Sequence, residues 1–376
     1  MGAVIQQEVA VGFEPGFKQF RGNQAVVEAI RGMLAQNRMP HALLFCGPAG
    51  VGKYTLAQMV AKAIHCQELD GDFCGRCKNC NTIALADDRW KAVEQAEQER
   101  EKLTKRPREL PLLIQHHPDV LLLSPNGPLR LFQIEQARHL KQVLEYLPAG
   151  NRGKVYIIPD ADRMDAAAAN SLLKSLEEPP PHVVLLLTTT NEAALLPTIR
   201  SRCVPLWFSP LHRGEVARFL EERGVGKTHE ERLARAAIAK GSPGAALRLD
   251  LERYFRTRDT LLAILVAGTE GRDYAALFSQ SQTLTGREET LENLLDVLYS
   301  LFQDILHIET KVNGEPLRNT DRPESLMRLA RWLGVREVRK AVASLEEMER
   351  NLRRNVPSRL SVEAFAVGLA KARRIS

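Results

Sequence analysis

Across residues 1–208, short and nearly continuous apolar runs alternate with longer stretches in which apolar positions return every three or four residues. Runs of four or five apolar residues read as strands buried on both faces, and the periodic stretches between them read as covering helices. The clearest runs are Ala42–Cys46, Val120–Leu123, Val155–Ile158 and Val183–Leu187. They predict an α/β module with a mostly parallel sheet over 1–208. Beyond Pro210 the strand pattern stops. Gly214–Leu220 and Glu230–Ala239 read as short helices and Gly241-Ser242-Pro243-Gly244 as a breaker, giving a small helical segment over 209–250. From 251 to 376 every pattern is helical. Within 289–310, Leu291, Leu294, Leu295, Leu298, Leu301, Phe302 and Ile305 form one apolar stripe. Residues 336–355 and 361–373 read as further helices, the last capped by Ser361.

The 376 residues suit two or three domains. A 44% hydrophobic and 26% charged composition excludes a disordered chain, and no run of 18 apolar residues offers a membrane span. The first residues lack a signal-peptide core, so a cytoplasmic protein with no membrane contact is expected. The net charge of +6 permits nucleic-acid contact without requiring it. Residues 87–110 interrupt the strand pattern with seven acids and seven bases. They predict an exposed helical insertion, stopped near Pro107, read as a solvated face in preference to a binding site.

Candidate chemistry begins at residue 47. The strand ending at Cys46 runs into Gly47-Pro48-Ala49-Gly50-Val51-Gly52-Lys53, followed by a helix over Tyr54–His65. Strand, glycine loop and helix are the setting of a phosphate cradle, in which Gly47, Gly50 and Gly52 open the backbone and Lys53 meets the phosphates. The position after the lysine needs a Ser or Thr hydroxyl to ligate Mg²⁺, and here it is Tyr54. Thr55 is rotated by about 100° and does not replace it. The second phosphate-side element is an apolar strand ending in acids. Lys154–Ile158 is that strand, but Pro159 stands in the metal-binding place and Asp160 in the next. Phosphate binding survives on this reading, ATP or ADP being left open, while Mg²⁺ has lost two contacts.

Cys66, Cys74, Cys77 and Cys80 follow the same helix at spacing C-x₇-C-x₂-C-x₂-C, with Gly71 and Gly75 for the turns. Four close thiolates fit a closed tetrahedral Zn²⁺ site over 66–80. Cys46 and Cys203 are isolated and read as core residues. His116 and His117 precede a strand with no partner at metal spacing.

Asn170-Ser-Leu-Leu-Lys-Ser-Leu-Glu-Glu-Pro-Pro180 and Ile199-Arg200-Ser201-Arg202-Cys203, in order behind the glycine loop, resemble the gamma/tau and delta-prime subunits of the bacterial DNA polymerase III clamp loader. Gly22-Asn23-Gln24 and Met39-Pro40-His41-Ala42 fit the same family. The resemblance implies an AAA+ P-loop domain with a small helical lid and a C-terminal collar for oligomerisation. It also implies gamma/tau and delta subunits as partners, and through them the sliding clamp and primer–template DNA. Tyr54, Pro159 and Gly244, the last standing where the motor subunit carries a nucleotide-sensing arginine, favour the delta-prime branch and a non-hydrolysing, stator-like role. The resemblance implies that Arg202 acts as a finger in a neighbour's ATP site, that Thr188–Thr190 match a sensor element of structural use, and that the zinc module is shared. An active gamma-type ATPase is the first alternative. A free-standing DNA-binding AAA+ protein is the second, suggested by Arg353, Arg354, Arg359, Arg373 and Arg374.

Overall fold

The computed structural model describes residues 16–103, 111–125, 131–132, 134–271, 291–310, 317–351 and 358–372, together with 275, 279 and 281. The chain divides into two compact units, one of Met1–Arg223 with Gly241–Ala245 and one of Gly224–Lys240 with Ala246–Ser376. The segment expected as a lid over 209–250 is thus shared between them.

The first unit is built on a six-stranded sheet: β1 Ala42–Cys46, β2 Ile114–His117, β3 Val120–Leu122, β4 Lys154–Ile158, β5 Val183–Thr189 and β6 Val204–Trp207. Its spatial order is β2-β3-β4-β5-β1-β6, and only the β2–β3 pair is antiparallel. All four expected strands are present. The two that periodicity missed, β2 and β6, lie at the sheet edges. An edge strand meets water, so its apolar run is broken, as the polar Gln115-His116 and the half-exposed β6 show.

Alternate residues of the central strands enter opposite core layers. Leu43, Phe45, Val155 and Ile157 pack on one face, whereas Leu44, Cys46, Tyr156 and Ile158 pack on the other. Helices α1 (Gln24–Ala35) and α2 (Lys53–His65) cover the first face, and α5 (Ile134–Leu144) and α6 (Ala166–Glu177) the second. Between α2 and β2 lie α3 (Lys78–Ala84) and α4 (Arg89–Leu103), the latter being the expected charged insertion; its residues 104–110, with Pro107, lie outside the described residues. The parallel register sets Cys46 beside Thr189 and Ile158 beside Leu187, so the loop after β1, the acids after β4 and the threonines of β5 share one edge of the sheet. Ligand sites of open parallel sheets form at such carboxyl ends.

After the short α7 (Pro197–Arg200) come α8 (Arg213–Glu222), α9 (His229–Ile238) and α10 (Pro243–Arg248), then α11 (Leu251–Val266), α12 (Leu291–Thr310), α13 (Pro323–Asn351) and α14 (Ser358–Ala372). The stripe on α12 is buried from Leu294 to Ile305 as the spacing requires. Two expectations change. Helix α13 begins before residue 336 and turns at Gly334, whose φ of 60° needs a glycine. Helix α14 begins at Ser358, so Ser361 lies inside it and not at its N-terminal cap. Under α11 sits a polar core: Arg258, 1% exposed, makes a two-toothed ion pair with Asp321 at 2.6 and 2.8 Å and also bonds Asp259 at 2.8 Å. Arg353, Arg354, Arg373 and Arg374 lie outside the described residues, as does the side chain of Arg359. Among the described residues no helix is long and apolar enough to cross a membrane.

Candidate functional site

The glycine loop joins β1 to α2 as the sequence requires. Gly47, Gly50 and Gly52 all have positive φ, of 146°, 74° and 98°. Packing fixes two of them as firmly as the backbone does. A Cβ at Gly47 would lie 2.4 Å from the Phe208 carbonyl oxygen, and one at Gly50 only 2.1 Å from Ser242 Oγ. Lys53 Nζ donates to the carbonyl of Gly47 at 2.6 Å and to that of Pro48 at 2.5 Å. Burial lowers its pKa from 10.5 to about 8, against the pull of the Asp160 and Asp162 carboxylates. The backbone N–H of Gly244 donates to the Gly50 carbonyl at 3.0 Å. Gly244, expected from the resemblance to stand where a motor subunit carries a sensor arginine, therefore lies against the glycine loop itself.

The metal side of the loop is rebuilt. Tyr54 turns its hydroxyl onto the Ala86 carbonyl and accepts from Gln58 Nε2 at 2.7 Å. Burial raises the phenol pKa, so it stays protonated. Thr55 is exposed and offers no replacement. Beyond Pro159, Asp160 adopts a left-handed conformation (φ 51°), and its carboxylate meets Arg89 Nη2 at 2.8 Å. The same guanidinium stacks 5.8 Å from the Tyr54 ring and 4.2 Å from the Trp90 ring. Arg89 opens the insertion expected to be a solvated face. That expectation is corrected at this residue, because its guanidinium is paired with Asp160. Asp162 accepts from Thr189 Oγ1 at 2.7 Å and from the Thr190 N–H at 3.2 Å, while the Asp160 N–H donates to Thr188 Oγ1 at 3.2 Å. The three threonines thus lash β5 to the turn after β4, which is a structural task.

Arg202 lies in the turn between α7 and β6, away from the loop. Its guanidinium donates to Glu177 Oε1 at 2.5 Å, to the Thr198 carbonyl at 2.9 Å and to Ser201 Oγ at 3.3 Å. Glu177 is the last residue of α6, within the Leu-Glu-Glu-Pro-Pro string, so the two most diagnostic strings of the sequence meet here.

Cys66, Cys74, Cys77 and Cys80 are all buried, with their sulfurs within 4.8 Å of one another. Backbone N–H groups of Leu69 and Cys74 point at Cys66 Sγ, each at 3.3 Å, that of Cys77 at Cys74 Sγ at 3.2 Å, and that of Cys80 at Cys77 Sγ at 3.5 Å. Such donors favour thiolate over thiol, so the donor set suits a tetrahedral metal ion. Cys46 and Cys203 differ: burial pushes their thiols up to about 11 and about 12, where they are neutral core groups.

His117 does have a partner, contrary to the sequence expectation. His65, His117 and Asp119 are buried together, with the imidazole rings 4.8 Å apart. Only the fold, which sets the end of α2 against β2, brings His65 here. The group's hydrogen bonds point to loop fastening. Asp119 accepts from the N–H groups of Ala149 and Gly150 at 2.7 and 2.8 Å, and its own N–H donates to His117 Nδ1 at 3.2 Å.

A family model described as "DNA polymerase III, delta subunit" matches residues 22–212. DNA polymerase III subunit delta' of Bacillus subtilis (strain 168) is 28% identical over 338 residues, covering 88% of this chain and 91% of that protein. Subunit delta' of Pseudomonas aeruginosa is 34% identical over 215 residues, 56% of this chain and 55% of the relative. Subunit tau of Escherichia coli K12 is 32% identical over 242 residues, 62% of this chain but 32% of tau. With the family model spanning more than half of its length and delta-prime relatives aligned along it, the chain belongs to the delta-prime family of DNA polymerase III subunits.

Proposed function

We propose that this chain is the non-motor subunit of a DNA polymerase III clamp loader. It would assemble with gamma/tau and delta subunits, and the complex would place the sliding clamp on primer–template DNA. The observation that carries the reading is the Tyr54 hydroxyl, at the position of a Mg²⁺ ligand but committed to Ala86 and Gln58. A P-loop ATPase needs that hydroxyl on the metal that bridges the β- and γ-phosphates. Pro159 removes a second metal contact. A nucleotide, ATP or ADP, would still find Gly47, Gly50, Gly52 and Lys53, but no activated water.

On this reading the working group of the chain serves a neighbour. Arg202 would leave Glu177 and neutralise charge on the phosphoryl group transferred in an adjacent motor subunit. Zinc held by Cys66, Cys74, Cys77 and Cys80 would fold the 66–80 knuckle, which has too few residues for a core of its own. The purified chain, alone and reconstituted with its motor partner, provides the test. Turnover is expected only in the complex. Mg²⁺-dependent hydrolysis by the isolated chain at a motor-like rate would assign it to the gamma type.

A further inference from the structure

Tyr54, which stands at one lost metal contact, and Asp160, which follows the proline at the other, have a common neighbour. Asp160, beside the proline, is ion-paired with Arg89 at 2.8 Å, and Tyr54, in the hydroxyl position, lies under the same guanidinium. Arg89 is also held in place: its side chain is 12% exposed, and Trp90 packs on it at 4.2 Å. A planar cation is therefore fixed against Asp160, in the turn after β4, and over the ring of Tyr54, in the first turn of the helix that follows the glycine loop. A loop of this type binds its anion with a lysine, helix N–H groups and a divalent cation that offsets the phosphate charge. Here the lysine and the glycines are retained, and the third part has become a side chain.

We propose that Arg89 is a tethered substitute for Mg²⁺, and that it makes the Gly47–Lys53 loop a site for the metal-free diphosphate group of a nucleotide. This builds on the non-hydrolysing reading above and adds which ionic form of the ligand is taken. Two consequences follow from charge alone. A guanidinium cannot gather a water and activate it as a metal ion does, so the site binds without turning over. A divalent cation arriving with the nucleotide meets Arg89 already seated on Asp160, and the two repel. The charges around Lys53 agree. Burial is the chief cause of its lowered pKa, and the Arg89 charge acts in the same direction.

Arg89 is a specificity-determining residue on this account, and the measurement is the Mg²⁺ dependence of ADP binding by calorimetry, with the full chain in EDTA or in Mg²⁺. The wild type should bind ADP with affinities differing by less than about twofold between the two conditions, and Arg89→Lys should behave likewise. Arg89→Ala should weaken binding in EDTA and recover about tenfold or more when Mg²⁺ is added, a coupling of ordinary size for two linked sites. Far-UV circular dichroism checks the fold of each variant. If Arg89→Ala does not fold, the wild type and Arg89→Lys decide alone. Mg²⁺-dependent ADP binding by the wild type overturns the proposal, and so does no ADP binding under either condition. Neither result requires hydrolysis, so either can occur with the non-motor reading intact.

Discussion

Arg202 and Glu177 are joined at 2.5 Å although they lie on separate elements, the turn after α7 and the end of α6. Both side chains keep substantial exposure, 32% and 47%, and an ion pair so placed is worth about 0.2–1 kcal/mol. That is enough to orient the arginine in the free subunit. It is too little to keep the arginine from a phosphoryl group developing negative charge in a neighbour. Arg202→Ala should therefore leave assembly intact and lower the ATPase of the reconstituted complex by about 10³-fold or more. Glu177→Gln, which loosens the arginine without removing it, should keep most of the rate. Size-exclusion chromatography and phosphate release measure the two effects separately, and an unchanged rate with Arg202→Ala rules out the finger.

Lys53 gives the loop a pH dependence whose sign is fixed by its lowered pKa. The folded lysine releases its proton near 8, the unfolded one near 10.5. Below about 8 the cation is present and anions bind. Above it, affinity for ADP should fall by up to about tenfold per pH unit. Between 8 and 10.5 the unfolded chain binds more protons than the folded chain, so stability should rise across that window. Lys53→Met should abolish both slopes, read by calorimetry and by urea unfolding at pH 7.5 and 9.5.

The cysteine knuckle predicts a metal bound through sulfur. Cobalt substitution should give a thiolate charge-transfer band in the near ultraviolet that is lost in Cys80→Ser and kept in Cys46→Ala and Cys203→Ala. Removal of the ion with a strong chelator should lower the melting temperature, because folding of the 66–80 loop is coupled to binding. A wild-type chain that holds iron or takes up no metal refutes the assignment.

Arg258 offers a prediction in the second unit. Asp321→Ala removes two charge-assisted hydrogen bonds from a guanidinium with almost no access to water, leaving Asp259 as its remaining carboxylate. The cost should be about 1.5–3 kcal/mol. Arg258→Met exchanges the buried charge for an apolar chain and should cost less, since buried ion pairs are often no better than hydrophobic replacements. Urea denaturation of both variants makes the comparison. Equal losses would show that the pair itself, and not the stranded charge, sets the energy.

The parts of the fold legible in the sequence were those where one residue type answers to one local demand. Apolar runs such as Ala42–Cys46 could only be central strands, and Gly50 and Gly52 could only be loop. The clustering of the four cysteines was readable because their spacing already keeps them close along the chain. What the sequence hid depends on distance along the chain. Arg89 looked like one charge among many because its partner, Asp160, comes 71 positions later and is reached only through the sheet. His117 looked solitary for the same reason, since His65 belongs to another element. The edge strands β2 and β6 were missed because water on one side erases the apolar run that marks a strand. The Arg202–Glu177 pair falls between these cases: both residues sat in strings singled out from the sequence, and only their contact was unforeseen.

The hydrogen bond from Gly244 to the Gly50 carbonyl ties the residue at 244 to the phosphate loop. A side chain at 244 would set its Cβ 3.0 Å from that oxygen, while Gly50 is itself closed in by Ser242. A side chain at 244 would therefore need the Gly50 backbone to give by a few tenths of an ångström, which couples the residue at 244 to the shape of the phosphate loop. On the non-motor reading, a larger residue at 244 has to be matched by a shift in the loop, so the contact sets a cost against nucleotide sensing at that position.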